Sequence, residues 1–529
     1  MKTPSPSRRI LLLTLTYLML LPLVSLSAQP ADEQAQTNFE RWFVLLIQGE
    51  RAGYVHTVET TLPNGNIQTS SETKIKIARG PAVVAIAMSQ TTTETSAGKP
   101  VESITSADLG QATLYSKYVF NEKDVTQITR QLGREVSKTF PLPDTDALAP
   151  AAAARFIEAQ MQEGANNIKL KTIDTSLNLT TITLEMNRGE KTTAEVFGRT
   201  VPATLWRSTV SSIPGTTIHD YIDDTGRTLR TTLAMIPGME MDMIAADKDL
   251  ALSPLDTPQM LSLMLLKPAP GSAPVPTDKP TTSAVFEVTF KKRPENTGLN
   301  IDLPSTGSQR VIWGDDHTAR IITNLNTPNS PTHDLPTEEH LAGSSMVQHA
   351  DPAIHQLVIE ALGENIIHKD TDQETSPPYL TTLSKPEQAE RFRKFVNNFI
   401  TEKNLSVGLA TASEIAQTKE GDCTEHATLL AAMLRVQGIP SRTVSGLMYV
   451  PNFQNNKNIF GYHMWTQAFL PSTEGAYWVD LDPSMSEPAF DATHIALTIS
   501  SLDDQSFTND IVRLTPIMGR IQIKVIAVE

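Results

Sequence analysis

Polar and apolar residues alternate along much of the first half of the chain. Segments 55–60, 73–88, 113–120, 177–186 and 216–233 are rich in Thr, Val and Ile and alternate in part. That is the period of a half-buried strand. Pro63-Asn64-Gly65 and Asp223-Asp224-Thr225-Gly226 punctuate the run as turns. Alanines dominate 150–162, where a helix interrupts the pattern. Residues 29–245 therefore read as one antiparallel β-rich domain, a curved sheet or open barrel with one covered face.

The pattern then changes. Within 246–281, residues 255–266 suit a short helix, and 268–280 hold five prolines in thirteen residues, a semi-rigid linker. Phe286, Val288 and Phe290 alternate again and open a small β module over 282–345, with further strands at 310–313 and 319–322. From 346 the period is helical. Asp351-Pro352 starts a helix that Gly363 ends, and Ser384 with Glu387 and Thr411 with Glu414 are capping boxes. Asp422 with Glu425 has the same spacing, followed by few helix breakers to Gln437 and a Gly438-Ile439-Pro440 stop. Short strands follow at 463–469 and 477–482. The order is helices, then antiparallel sheet: an α+β core over 346–500, with a C-terminal strand segment over 501–529.

Composition narrows the roles. The 529 residues carry a net charge of −15, with no basic stripe interleaved with aromatics, so nucleic acid is not an expected partner. Residues 1–28 combine Lys2, Arg8 and Arg9 with an apolar run and a Leu26-Ser27-Ala28 tail, the layout of a signal peptide. The chain is expected to be exported, periplasmic or extracellular, touching membrane only if that segment stays uncleaved. Asp315-Asp316-His317 and the histidines of 349–355 lack metal-site spacing, so neither metal nor cofactor is expected.

The chemistry centres on Cys423, the only cysteine. Asp422 as N-cap makes it the first helical residue, where backbone N–H groups and the helix dipole lower a thiol pKa. A thiolate needs a base, and His463 opens an alternating strand with Trp465, Gln467 and Phe469. If 471–474 form a four-residue turn, Leu470 pairs with Gly475 and His463 lies opposite Asp482, which becomes the group orienting the histidine. Asp480 would oppose Trp465 and stands in reserve.

These blocks resemble the transglutaminase-like superfamily: Gly421-Asp422-Cys423-Thr424-Glu425-His426-Ala427, Gly461-Tyr462-His463-Met464-Trp465 and Trp478-Val479-Asp480-Leu481-Asp482-Pro483. The resemblance implies a papain-like Cys-His-Asp core whose aspartate lies four residues after a tryptophan, as Asp482 does after Trp478. It also implies acyl chemistry at amide bonds of a peptide or protein substrate. Animal members carry a tryptophan ahead of the cysteine; between Ala350 and Asp422 there is none here. Water is then the simpler acyl acceptor, making hydrolysis the favoured outcome over amine transfer. Gln417, six residues before the cysteine, sits where papain-like proteases place an oxyanion glutamine, and Trp465 is expected to wall the cleft. The rival reading is a non-catalytic envelope binding or assembly protein that works through its β domains.

Overall fold

The computed structural model describes residues 35–529 except 109–112, 132–133, 143–145, 176–178, 214, 237–238, 262–264, 291–302, 316, 328–333, 368–377, 404–409, 474, 504–513 and 515–516. The signal-like segment 1–28 lies outside the described residues. Among the described residues no helix is long and apolar enough to cross a membrane.

Alternation over the first half produces one antiparallel sheet of fourteen strands between Gln36 and Ala246. The first eight strands form a meander, and so do the last six. The two runs join where Gln36–Ile47 pairs with Met239–Ala246, in register from Trp42↔Ala246 to Ile47↔Met241. The outer edges are Arg134–Pro141 and Asn167–Asp174, consecutive strands connected through the helix Pro150–Gln162. That helix buries Ala151, Ala153, Ala154 and Ile157. Small side chains let it lie close to its neighbours, which is why alanine dominates it.

The segment expected as one strand over 73–88 is a hairpin, Ile67–Arg79 followed by Ala82–Glu94. Gly80, at φ +66°, makes the turn. Along the second strand Val84, Ile86 and Met88 point inward and alternate with exposed neighbours, while Gln90, Thr92 and Glu94 continue the same buried row in polar form. The sheet is thus apolar toward this hairpin tip and polar toward the other end.

The helix expected over 255–266 does not form in its described part. Residues 254–260 are not helical, and Leu265–Leu266 is a two-residue strand paired with Gly461 and Phe460. The hairpin claims this backbone instead: Ala78 N donates to Pro258 O at 2.9 Å and Met260 N to Ala78 O at 2.9 Å. Pro258, having no N–H of its own, also weakens a helix there.

The small sheet runs Gln309–Trp313, Thr318–Asn324, Ser283–Phe290, Ile521–Val528. Phe286, Val288 and Phe290 are buried, as their alternation predicts. The proline-rich stretch is held along the far side of Ile521–Val528, with Ala269 N donating to Ile523 O and Ala273 N to Val525 O.

Four helices follow: Pro352–Leu362, Lys385–Phe399, Ala412–Thr418 and Cys423–Val436. Each starts where a cap was legible. Asp351 accepts from Ala353 N, and Ser384, Thr411 and Asp422 each form a capping box, worth about 1 kcal/mol apiece. The cysteine helix, Cys423–Val436, packs against the other three helices and against the strand Asn456–Ser472, the histidine strand. Its Cys423, Ala427, Leu430, Ala431 and Leu434 face is buried, but so are Leu429 and Met433, because helices cover what the sheet does not. The sheet beneath is Leu265–Leu266, Asn456–Ser472, Ser441–Phe453, Ile495–Ser500, with Gly475–Leu481 also pairing with the histidine strand. Buried apolar residues form one continuous cluster running from the fourteen-stranded sheet through the small sheet to these helices.

Candidate active site

Cys423 is the first residue of its helix. Asp422 Oδ1 accepts from Thr424 N at 3.0 Å and Asp422 N donates to Glu425 Oε2 at 2.9 Å, so the turn presenting the sulfur is fixed on both sides. Glu425 also accepts from Ala410 N at 3.2 Å. Its carboxylate is a structural tie, consistent with its N3 position. Cys423 packs with Ala427 and Met464, and the Met464 backbone N–H is hydrogen-bonded to the sulfur. The thiol therefore lies against the histidine strand, one residue from His463.

The expected low thiol pKa is not what the surroundings produce. Burial pushes the thiol well up, and the charges of Asp422, Glu425 and Asp482 push the same way against the Met464 N–H. The residue is 1% exposed. Desolvation of a thiolate outweighs the helix dipole when water is excluded.

His463 Nε2 lies 2.7 Å from Asp482 Oδ2. A carboxylate accepts, so Nε2–H donates, and Nδ1 is the ring nitrogen left to exchange a proton with another group. That Nδ1 is buried and has no hydrogen-bond partner. The tautomer a general base needs is the one this bond selects. Asp482 itself is saturated: Oδ1 accepts from Ser484 N at 2.8 Å and Ser484 Oγ at 2.7 Å, and Oδ2 is also 3.3 Å from His494 Nε2. Burial alone would raise its pKa, but His463 and His494 hold the carboxyl well below the usual range.

The strand register differs from the expected one. The turn is tight, with Ser472↔Gly475 and Leu470↔Tyr477, so Asp480 stands opposite Gln467 and the ladder ends at Thr466↔Leu481. Asp482, one step further, reaches His463 along a diagonal. Asp480 has other partners. Its Oδ1 accepts from Trp465 Nε1 at 2.9 Å and Gln467 Nε2 at 2.7 Å, and its Oδ2 from Ser308 N and Oγ, both at 2.9 Å. A Cβ on Gly307 would come within 2.3 Å of that carboxylate, so the small sheet meets the histidine strand through a glycine.

Trp465 is buried behind the histidine rather than lining an open cleft. Its ring stacks at 6.4 Å on His463 and packs on Phe490 and His494. Gln417 is exposed on the last turn of its helix while the thiol is enclosed; the two do not share an environment, and the oxyanion role expected of Gln417 finds no support.

Two residues carried no sequence signal for the site. His494 ends an Asp491-Ala492-Thr493-His494 segment that belongs to no motif. Its Nδ1 lies 3.0 Å from Asp491 O and 3.3 Å from Asp491 Oδ1, and its Nε2 faces Asp482. Both nitrogens face acceptors, so both carry protons: His494 is an imidazolium between two aspartates. Burial opposes that charge, but the two carboxylates outweigh it and raise the pKa to about 10. His463, Asp482 and His494 are also the one His/Cys/Asp/Glu group among the described residues close enough to hold a metal ion, with ligand atoms within 4.8 Å. The second residue is Arg79, whose Nη2 lies 3.0 Å from Asp422 Oδ2 with both side chains buried.

His426 completes the surroundings. Its Nδ1 donates to Asp422 O at 2.7 Å, its Nε2 is buried without a partner, and burial lowers its pKa to about 4. It is neutral.

A thiol at a helix start, a histidine on the adjoining strand and an aspartate behind that histidine define a transglutaminase-like core. Residues 369–483 match the family model of the transglutaminase-like superfamily. That part of the chain is a transglutaminase-like domain, and the fourteen-stranded sheet precedes it. No curated protein matches the chain in sequence. Among solved structures, the chain is similar to a β-barrel-like protein of a domain of unknown function from Brucella abortus, at 10% identity and TM-score 0.29, covering 39% of this chain and 95% of that one. It is also similar to a candidate cysteine protease from Cytophaga hutchinsonii, at 13% identity and TM-score 0.25, covering 47% and 86%. A third is the periplasmic domain of TgpA from Pseudomonas aeruginosa, bound to ethylmercury, at 13% identity and TM-score 0.16, covering 39% and 91%.

Proposed function

We propose that the protein is an exported cysteine enzyme that cleaves or transfers acyl groups at amide bonds of peptides or proteins, with hydrolysis favoured. The observation that carries this reading is the His463 tautomer: Nε2–H is committed to Asp482 at 2.7 Å, and the buried Nδ1 lone pair has no other partner. Burying an unpaired nitrogen costs free energy, and proton transfer from a thiol beside the same strand gives it a use.

In this mechanism the substrate carbonyl enters beside Cys423 and His463 Nδ1 takes the thiol proton as sulfur attacks. The Cys423 backbone N–H, at the helix start, faces the developing oxyanion. His463 then protonates the leaving amine, and an acyl-enzyme remains. Water, deprotonated by His463, releases the acid. Asp482 keeps the imidazole in its tautomer and stabilises the imidazolium. The raised thiol pKa fits general-base attack better than a resting thiolate–imidazolium pair.

The test is an unbiased peptide-substrate profile of the mature protein beside its Cys423→Ala variant. Cleavage by the first and none by the second is the expected result. Equal turnover by both would remove Cys423 from the chemistry.

A further inference from the structure

The fourteen-stranded sheet reaches the thiol's own turn. The tip of the hairpin Ile67–Arg79/Ala82–Glu94 is held by Gln259, with Gly80 N donating to Gln259 Oε1 at 3.1 Å and Gln259 Nε2 donating to Gly80 O at 2.9 Å. A Cβ on Gly80 would come within 2.3 Å of Gln454, in the turn before the histidine strand. Held there, Arg79 is fully buried and donates to Asp422 Oδ2 at 3.0 Å, across 343 positions of sequence.

Asp422 is a difficult neighbour for a nucleophile. It caps the helix and accepts from Thr424 N and Arg79 Nη2, yet its charge acts on a sulfur one residue away. The groups facing the thiol are Asp422, Glu425 and His426 on its own helix, His463 on the adjoining strand and Asp482 behind it. Lys403 is felt at Asp482 and His426, and Arg79 comes from the large sheet. Of these, the carboxylates disfavour a thiolate. Arg79 touches Asp422, the nearest of them in sequence.

We infer that Arg79 is a positioning residue for the proposed reaction, supplied by the N-terminal sheet, which neutralises Asp422 and so keeps Cys423 able to give up its proton. The sheet is then part of the active site rather than a separate module. This rests on the reading of Cys423 as nucleophile. Fixing a guanidinium on the cap carboxylate offsets a negative charge beside the forming thiolate without touching substrate.

The experiment uses the full chain as wild type, Arg79→Gln, Asp422→Asn and the double variant. Alkylation by iodoacetamide, followed upward from pH 6 and compared as rates at fixed pH where no plateau is reached, reads one sulfur, because Cys423 is the only cysteine. Arg79→Gln should move the alkylation midpoint up by about one pH unit, lowering the rate about tenfold at a fixed pH below it. Asp422→Asn, which keeps a capping side chain, should move it down. The double variant should return toward wild type. Loosening of the hairpin alone would expose the sulfur and bring both single variants down toward the ordinary thiol value of about 8.5; that outcome, or no shift in either, overturns the inference. If Arg79→Gln does not fold, Asp422→Asn decides: a lower midpoint with an unchanged melting transition supports the coupling, and an unmoved midpoint overturns it. Midpoints are defined for any thiol, so this result is independent of whether Cys423→Ala abolishes turnover.

Discussion

Asp482 meets His463 across a diagonal of the sheet. The ladder between their strands ends at Thr466↔Leu481, so the aspartate bonded at 2.7 Å to His463 lies just past the last pair and leans along the strand. Diagonal neighbours on one face lie within reach of long side chains. Asp482, just before Pro483, lies past the end of this ladder, with its N–H donating instead to Ala489 O at 2.9 Å, and can take this position. An in-register aspartate would be tied by its backbone to the strand opposite.

Asp482→Asn should lower turnover by on the order of 10⁴, since an uncharged amide no longer stabilises the imidazolium and can turn its N–H toward Nε2, selecting the wrong tautomer. Asp480→Asn should leave turnover within about tenfold of wild type and instead cost about 1–3 kcal/mol of stability, because it disturbs the bonds to Trp465, Gln467 and Ser308. Steady-state rates and chemical denaturation of both variants check the pair. A reversal of the two would assign the orienting role to Asp480.

Cys423→Ala should abolish amide turnover and leave the fold in place. Alanine is tolerated at the first helical position, and loss of one buried sulfur costs about 1–2 kcal/mol. Circular dichroism and a peptide assay on the same sample decide it.

His494 gives stability a pH dependence. Its folded pKa is raised to about 10, against about 6.5 when unfolded. A raised folded value stabilises fully below the unfolded value and is lost as pH rises through the folded one. The wild type should therefore lose stability between about pH 6.5 and 10, and His494→Gln should flatten that slope. Melting temperatures across this window provide the measurement. An unchanged slope in the variant would show that His494 is neutral in the fold.

Released acid should dominate when a cleaved peptide is incubated with a millimolar lysine analogue. Between Ala350 and Asp422 no tryptophan is available to shape a pocket for an amine, and water at about 55 M competes with any amine lacking one. Mass spectrometry showing mostly amine adduct would make the protein a transferase.

How far the sequence could be read follows from where each signal lives. The four core helices were legible because their caps are local: Asp351, Ser384, Thr411 and Asp422 satisfy backbone groups within three residues of themselves. The alternation of Phe286, Val288 and Phe290 was local too. The register at Ser472↔Gly475 was not, since a turn of two residues or four leaves the same apolar alternation on both strands. The helix expected over 255–266 failed because its backbone partners, Ala78 above all, lie nearly two hundred positions away. The thiol pKa was misjudged for a related reason: the dipole is visible in the helix, whereas the exclusion of water belongs to everything packed around it. Arg79 ends an apolar run before a turn, where a charge signals solvent, and only the tertiary contact reveals its partner.

The strand Ile521–Val528 is held between Ser283–Phe290 on one side and the proline-rich stretch on the other. Everything between residues 290 and 521, the nucleophile included, is therefore a long excursion whose two ends are clasped side by side. A chain emerging from a ribosome cannot fasten that clasp until Ile521–Val528 has been made, so the joining of the two ends is among the last contacts to form, however early the helices and sheet between them assemble.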